Sequence, residues 1–545
     1  MKRRGFLGAA AGAAGALALA GCEAPPRPIE GGFTGIDIAR GHAMRDGALK
    51  SLSPATVKRT RVLIAGGGVA GLAAARALRL AGIEDFALLE LEDTAGGNAR
   101  GGMVNGIACP LGAHYLPTPG DDAREVQDLL EELGLRRRVA GRWEYDERSL
   151  CHSPQERLFF RGEWQEGLLP VHGVGAGTHA QYRKFAQRID AMQHAAHFAI
   201  PTLRAAVTPE LLALDAVSFA DWLGSEGFGD AQLRWYLDYC CRDDYGAGIE
   251  QVSAWAGIHY FASRHGFHAP GDAKGSGAES APERDGVLTW PEGNGWLTKQ
   301  LATPLGDRLR TGQVVLRIAE LRGGVEVDAW DTASKSLVRW QAERCIVALP
   351  VFVAARVVEN PPAVLAHAAA HLRNAPWLVA NVHLRGPLAD RVGAAPSWDN
   401  VIYGTRGLGY VDARHQTLDP TPRGTVLSWY RPLGPSGYDT GDGRQLLLER
   451  PWTAWRDDLL AELSVPHPDL PSLATCIEVT RYGHAMAIPR PGLLAQIGAQ
   501  RTAPDAAHRG RVVAGRLSFA HADWSGYSIF EEAFTRGHVA GMALA

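Results

Sequence analysis

The chain has 545 residues, 46% of them hydrophobic and 21% charged, with a formal net charge of −3. That balance is ordinary for a globular protein and lacks the basic excess that nucleic-acid binding requires. The length exceeds the ~250–300 residues beyond which a single core usually divides, so two cores are expected. The seven cysteines form no C-x-x-C pair, which leaves no case for a zinc or cluster site.

The first segment, Arg3-Arg4-x-Phe6-Leu7 and an Ala/Gly/Leu run to Ala20, is too short and too glycine-rich for a good membrane span. It resembles a twin-arginine export signal, and Leu19-Ala20-Gly21-Cys22 resembles a bacterial lipobox. Residues 1–22 are therefore expected to be a leader. A lipidated Cys22 would contact a membrane, on the periplasmic or outer-surface side. Residues 23–57 are rich in Pro, Gly and Ala without an apolar period, which predicts a linker.

An apolar run, Val62 to Ala65, then reads as a buried parallel strand and enters Gly66-x-Gly68-x-x-Gly71. An Ala/Leu-rich helix follows at once. Gly66 permits the tight turn, Gly68 lets the backbone approach a pyrophosphate, and Gly71 lets helix and strand pack closely. The phosphates would sit on the free N–H groups at the helix start. A second strand, Phe86 to Leu89, ends at Glu90, 19 residues after Gly71, placed to accept from ribose hydroxyls.

Gly96-Gly97 follow the acid within a polar stretch that runs past Arg100. Here the sequence resembles the FAD-dependent amine oxidase, protoporphyrinogen oxidase and phytoene desaturase superfamily, in which such a doublet wraps the flavin side of FAD. Thr94 and Asn98 stand where that family usually shows arginines, and Arg100 is the candidate substitute. The resemblance implies FAD and an α/β fold, with a Rossmann-like FAD-binding domain interleaved with an α+β substrate domain. The FAD-binding parts would be 58–120, 286–355 and 509–545. The substrate-domain parts would be 121–285, mostly helical, and 356–508.

The same resemblance assigns roles further along. Gly112-Ala113-His114-Tyr115 matches the stretch that returns under the flavin ring, with His114 either an active-site neighbour or a packed histidine. Asp243-Asp244-Tyr245-Gly246 reads as a loop with a helix-stopping glycine, since adjacent carboxylates point apart on most backbones. Cys240-Cys241 read as residues of a buried helix. His265 to Asp285 is polar and reads as a surface loop. Thr289 to Trp296 resembles the segment that re-enters the FAD domain. The backbone of Val315 would read the adenine, and Cys345-Ile-Val-Ala-Leu-Pro350 is a buried parallel strand ending at proline.

Tyr482, His484 and Met486 alternate, so one face of a strand would carry all three, towards either a pocket or a core. Near the end, Val512 to Ala514 reads as a strand and Gly515 as a turn, with Arg516 where the family commonly has an acid. The start of a last helix, at Ser528 and Ile529, would face the flavin carbonyl region, where a helix dipole stabilises negative charge. Trp524-Ser-Gly-Tyr527 resembles an amine oxidase motif whose Tyr forms part of an aromatic cage, or else packs in a core.

Tyr527, His484 and Tyr482 are thus the candidate catalytic residues, on a flavin that carries the redox chemistry. Three readings stand: oxidation of an amine such as a polyamine, dehydrogenation of an apolar substrate, or electron transfer without catalysis. Oxygen or a quinone would be the acceptor. The family's lysine near the flavin has no counterpart, because no lysine follows Lys335.

Overall fold

The computed structural model describes residues 28–47, 53–264, 266–270, 286–389, 391–418, 421, 423–497 and 510–544. The expected leader, Cys22 and most of the loop read over His265–Asp285 lie outside them. Among the described residues no helix is long and apolar enough to cross a membrane.

The stretch expected to be a linker carries strand β1 (Glu30–Thr34) and helix α1 (Ile38–Asp46). β1 pairs in parallel with a late strand, from Glu30↔Cys476 to Thr34↔Thr480. Beyond it, the Asp37 N–H donates to Glu92 at 3.1 Å and Arg40 Nη1 to the Leu91 carbonyl at 3.0 Å. Composition misleads here because an edge strand draws on ladder hydrogen bonds, and these need no apolar period.

The glycine motif lies as expected between strand β2 (Thr56–Ala65) and helix α2 (Val69–Leu80), with strand β3 (Phe86–Leu89) parallel to β2 from Val62↔Phe86 to Ala65↔Leu89. Both strands are buried over this register, which is why they read as continuous apolar runs. Helix α3 (Arg124–Glu132) shares their core through Val126, Leu129 and Leu130. This first core therefore includes residues beyond 120, where the first part of the expected FAD-binding domain ends.

The substrate domain opens with strands β4 (Glu156–Phe160) and β5 (Glu163–Glu166) and a helical region that includes α4 (Ala231–Tyr245) and α5 (Ala254–Ala262). Cys240 and Cys241 lie buried on α4, and both are free thiols. The chain returns to the first domain through an antiparallel meander of β6 (Gln313–Leu321), β7 (Gly324–Asp331) and β8 (Ser336–Val347). β8 also runs parallel to β2, from Val338↔Thr56 to Val347↔Ala65.

A second visit to the substrate domain adds β9 (Asn374–Leu384), β10 (Asp399–Ile402), β11 (Tyr410–Asp412), β12 (Thr425–Pro432) and β13 (Ala474–Ala487). They complete an eight-stranded sheet in the order β1-β13-β9-β12-β11-β10-β4-β5. Leu158, Val379, Val401 and Tyr430 of this sheet pack against Tyr245, Ile258 and other residues of the helical region. Finally β14 (Val512–Ala514) and β15 (Leu517–Phe519) form a hairpin, with β15 parallel to β8, and helix α6 (Phe530–Met542) lies on α2. α6 can approach because a Cβ on Gly537 would fall 1.9 Å from the Ala70 carbonyl oxygen.

The parallel strands β2, β3, β8 and β15 thus share one carboxyl edge. Ligands of open α/β sheets bind at that edge, because helix N-termini and strand-end loops converge there.

Candidate functional site

The first part of the site is a backbone cradle. Gly66 sits at φ +104°, and a Cβ there would lie 2.4 Å from the Ala348 carbonyl oxygen. A Cβ on Gly71 would lie 1.9 Å from the Gly66 carbonyl oxygen, so only glycine closes this turn. Gly68 meets the doublet through a bridge to Gly96, and a Cβ on Gly97 would stand 3.1 Å from the Gly68 Cα. α2 begins at Gly68 without a side-chain cap, so among the described residues no side chain takes up the first-turn N–H groups.

Glu90 ends β3 with its carboxylate accepting from the Gly67 N–H at 2.8 Å and the Glu92 N–H at 2.9 Å. Burial raises its pKa. Each oxygen keeps a lone pair for a further donor, such as a ribose hydroxyl. Arg100 steadies the doublet, its Nε on the Gly97 carbonyl (3.2 Å) and its Nη2 on that of Gly35 (2.6 Å). These features fit a dinucleotide: bare N–H groups, no Cβ in the turn, and an acid at the strand end.

A cavity of about 160 Å³ continues from the cradle between the two domains. Asn98, Gly112, Ala113 and His114 line it from the side of the glycine cradle, together with Ser528 to Glu531 at the start of α6. The His114 ring lies 4.4 Å from Tyr430 and 5.4 Å from Trp398, and burial pushes its pKa down to about 3, so it is neutral. Tyr482 Oη donates to the Leu111 carbonyl (2.8 Å) and Tyr430 Oη to that of Gly112 (3.0 Å). Both rings line the cavity with Tyr115 and Trp377. Ser528 Oγ accepts from the Ala487 N–H at 2.8 Å, and α6 starts at Ile529 with no side-chain cap.

Asp243, Asp244 and Arg264 close the substrate-domain side. Arg264 Nη2 lies 2.9 Å from Asp244 Oδ2 and donates to Tyr527 Oη, which in turn donates to the same carboxylate. Burial, and next the neighbouring Asp244, raise the Asp243 pKa. Burial likewise pushes Glu531 up to about 7.

Several sequence-based expectations are corrected by this geometry. Tyr527 is 2% exposed and does not line the cavity; its hydroxyl completes the buried Arg264–Asp244 network behind the wall. His484 leaves the face it was expected to share. Ala375 pairs with Met486 but Trp377 with Tyr482, so the extra residues of a bulge break the alternation. Tyr482 and Met486 reach the cavity, whereas His484 is exposed and stacks on Phe352 at 4.0 Å.

Gly515 and Arg516 form the β14–β15 turn, at the opposite end of β15 from the carboxyl edge. There the Arg516 guanidinium donates to the carbonyls of Glu343 and Arg322. The acid at the carboxyl edge is Asp523, 1% exposed, accepting from the Val351 N–H at 2.9 Å. Val315 lies in β6 with its side chain in the core beside Leu63 and Leu89, which leaves only its backbone to face a nucleotide.

Asp243 and Asp244 are not a loop. They form the last turn of α4, which Gly246 ends at φ +68°. The signal was present: Tyr236, Tyr239, Cys240 and Asp243 follow helical spacing up to that glycine. Trp377, Tyr430 and Glu531 carried no local signal.

Comparison with known proteins follows the same lines. An L-amino acid dehydrogenase of Synechocystis sp. is 28% identical over 155 residues, 28% of this chain and 29% of that protein. A protoporphyrinogen oxidase 2 of Arabidopsis thaliana is 36% identical over 93 residues, 17% of this chain and 18% of the relative. The chain thus matches less than a third of the length of either relative. A putrescine oxidase structure with bound putrescine superposes with a TM-score of 0.66 at 19% identity, over 90% of this chain and 99% of that one. Cyclohexylamine oxidase from Brevibacterium oxydans IH-35A gives 0.61 at 17% identity, over 89% and 98%. These two show a shared fold. Residues 69–461 match the model of the flavin-containing amine oxidoreductases. The chain belongs to that family and is an FAD-dependent oxidoreductase.

Proposed function

We propose that the protein oxidises a small primary amine at the carbon bonded to nitrogen. The observation that carries this reading is the cavity itself, where the backbone of the FAD cradle meets aromatic walls and the carboxyl groups of Asp243 and Glu531. The Gly66–Gly71 turn and the α2 N–H groups would hold the diphosphate of FAD, and Glu90 the ribose. Gly96, Gly97, Asn98, Gly112 and Ala113 would flank its flavin, with Ser528 and Ile529 at the carbonyl end. When bound, FAD supplies the acceptor for a hydride.

The chain's own residues do the rest. Tyr115, Trp377, Tyr430 and Tyr482 exclude water and offer ring faces to an ammonium group. The substrate must lose its ammonium proton before the C–N bond can gain double-bond character, and Glu531 takes that proton from the first turn of α6. The imine product then reacts with water to give an aldehyde and ammonia. The absence of lysine after Lys335 favours a carrier such as a quinone over oxygen as the final acceptor. On sequence grounds we also propose export through the Arg3-Arg4 leader and anchoring at Cys22.

Glu531 is neutral below about pH 7 and anionic above it, so kcat/KM for an amine is expected to rise with pH through about 7. Glu531→Gln is expected to remove that limb and to lower kcat/KM by about 10²–10⁴-fold. Aldehyde and ammonia measured against pH in the two proteins check this. Flavin-loaded protein that yields no aldehyde from any primary amine would overturn the reading.

A further inference from the structure

The outer face of the eight-stranded sheet carries a second cavity, of about 260 Å³. Arg157, Asn400 and Tyr410 line it as register partners across β4, β10 and β11. Asp412 and Leu427 form the next pair, across β11 and β12. Leu158, Val401 and Tyr430 of the same strands point the other way, into the core shared with the helical region. The sheet thus separates this cavity from the flavin site.

Cations dominate the lining. Arg157, Arg391, Arg414 and Arg423 stand against one acid among the described lining residues, Asp412. Its Oδ1 already accepts from the Arg414 N–H at 2.9 Å and from the Thr425 hydroxyl. Arg157, 4% exposed, stacks on Trp164 at 4.0 Å and donates from Nε to Asn400 Oδ1 at 2.5 Å. Arg391 and Arg423 are exposed, and Arg391 Nε donates to the Pro466 carbonyl at 2.8 Å. Guanidinium forks, with the hydroxyls of Thr417 and Thr421, suit the oxygens of a phosphate.

Two observations indicate where that phosphate comes from. Val392 and Leu418, next in sequence to the lining residues Arg391 and Thr417, are 77% and 76% exposed. Bare aliphatic side chains beside arginines match a lipid surface, which takes the former into its acyl boundary and holds the latter at its phosphates. The chain also enters the fold at this end. Glu30, Cys476, His383 and Val426 form one row across β1, β13, β9 and β12, so Glu30 lies three strand spacings, about 15 Å, from β12. Cys22 precedes Glu30 by eight residues, a reach of at most about 28 Å.

We infer that this cavity binds the phosphate of an anionic phospholipid, and that this end of the sheet faces the membrane. The orientation rests on the proposed anchor at Cys22; the ligand rests on the cavity and its rim. Neither depends on what the flavin cavity oxidises.

Vesicle co-sedimentation tests it on the flavin-loaded chain from Glu23 onward, which keeps every described element but carries neither leader nor acyl chain. The visible flavin spectrum reports that this chain and its variants fold. Binding is expected to vesicles of phosphatidylglycerol mixed with phosphatidylcholine, and not to phosphatidylcholine alone. Arg391→Gln combined with Arg423→Gln is expected to weaken it about 25-fold, about fivefold for each arginine at an anionic surface. Arg138→Gln combined with Arg142→Gln removes the same charge from an exposed hairpin elsewhere, Arg136–Val139 with Arg142–Tyr145. That pair is expected to change binding less than about twofold. Loss of binding in the hairpin variant instead of the cavity variant would overturn the assignment, and so would equal binding to phosphatidylcholine. Glycerol 3-phosphate is the soluble counterpart: if it raises the melting temperature while vesicles stay unbound, the membrane assignment falls. Because this chain lacks Cys22, a failed test is distinct from failure of the anchor.

Discussion

Gly71→Ala is expected to leave the protein without bound flavin. The new methyl group would stand 1.9 Å from the Gly66 carbonyl oxygen and 3.5 Å from the Ala348 Cβ, so helix α2 must move off strand β2. Its N–H groups move with it, and they are the anion-binding end of the cradle. The neighbouring helix cannot absorb the shift, because Gly537 of α6 already sits against the Ala70 carbonyl. Overpacking of this kind costs about 1–3 kcal/mol of stability, and every 1.4 kcal/mol lost from cofactor binding is about tenfold in affinity. Flavin absorbance per mole of purified protein measures the effect. Gly177→Ala is the control: it lies in the helix Ala176–Ala195 with nothing within 4 Å of its added carbon. It is expected to stabilise the protein by roughly 0.5–1 kcal/mol and to keep the flavin. Normal flavin content in Gly71→Ala would contradict the cradle described above.

Arg264→Met is the second large effect, and it acts on stability. Asp244 is 6% exposed at its side chain, and Arg264 is its ion-pair partner at 2.9 Å. Removing the guanidinium strands a buried carboxylate, which costs about 3–5 kcal/mol. Chemical denaturation of the flavin-loaded protein reads this directly. Tyr527→Phe removes only a hydroxyl from the same network and is expected to cost about 1–3 kcal/mol. The same substitution separates two roles for Tyr527. A cage residue would change KM for amines while leaving stability alone, whereas a residue behind the wall does the reverse, as the geometry here requires.

The parts of this molecule that the sequence reveals are those whose chemistry is local. Val62 to Glu90 spell out strand, turn, helix, strand and acid within 29 residues, and Gly66, Gly67 and Gly71 each stand where a Cβ would clash. The cavity is different, because its walls meet only after folding. Asp243 comes from the end of α4, Trp377 and Tyr430 from neighbouring strands, and Glu531 from the last helix. Alternation put Tyr482, His484 and Met486 on one face towards either a pocket or a core; Tyr482 and Met486 line the cavity, and the bulge that turns His484 away has no signal in the alternation.

The error at Gly515 has a similar origin. β14 and β15 are both three-residue apolar strands, and only the long-range parallel pairing of β15 with β8 shows which one leads to the site. Motif likeness at Trp524 to Tyr527 suggested a cage, yet a tyrosine beside a buried ion pair is held by that pair, whatever its neighbours in sequence.

The most direct test of the central claim is anaerobic mixing of the purified, flavin-loaded protein with putrescine while the visible flavin band is followed. Bleaching of that band, with one aldehyde formed for each flavin reduced, is the result expected if the cavity oxidises amines. A flavin that stays oxidised in the presence of putrescine and every other primary amine would contradict the account.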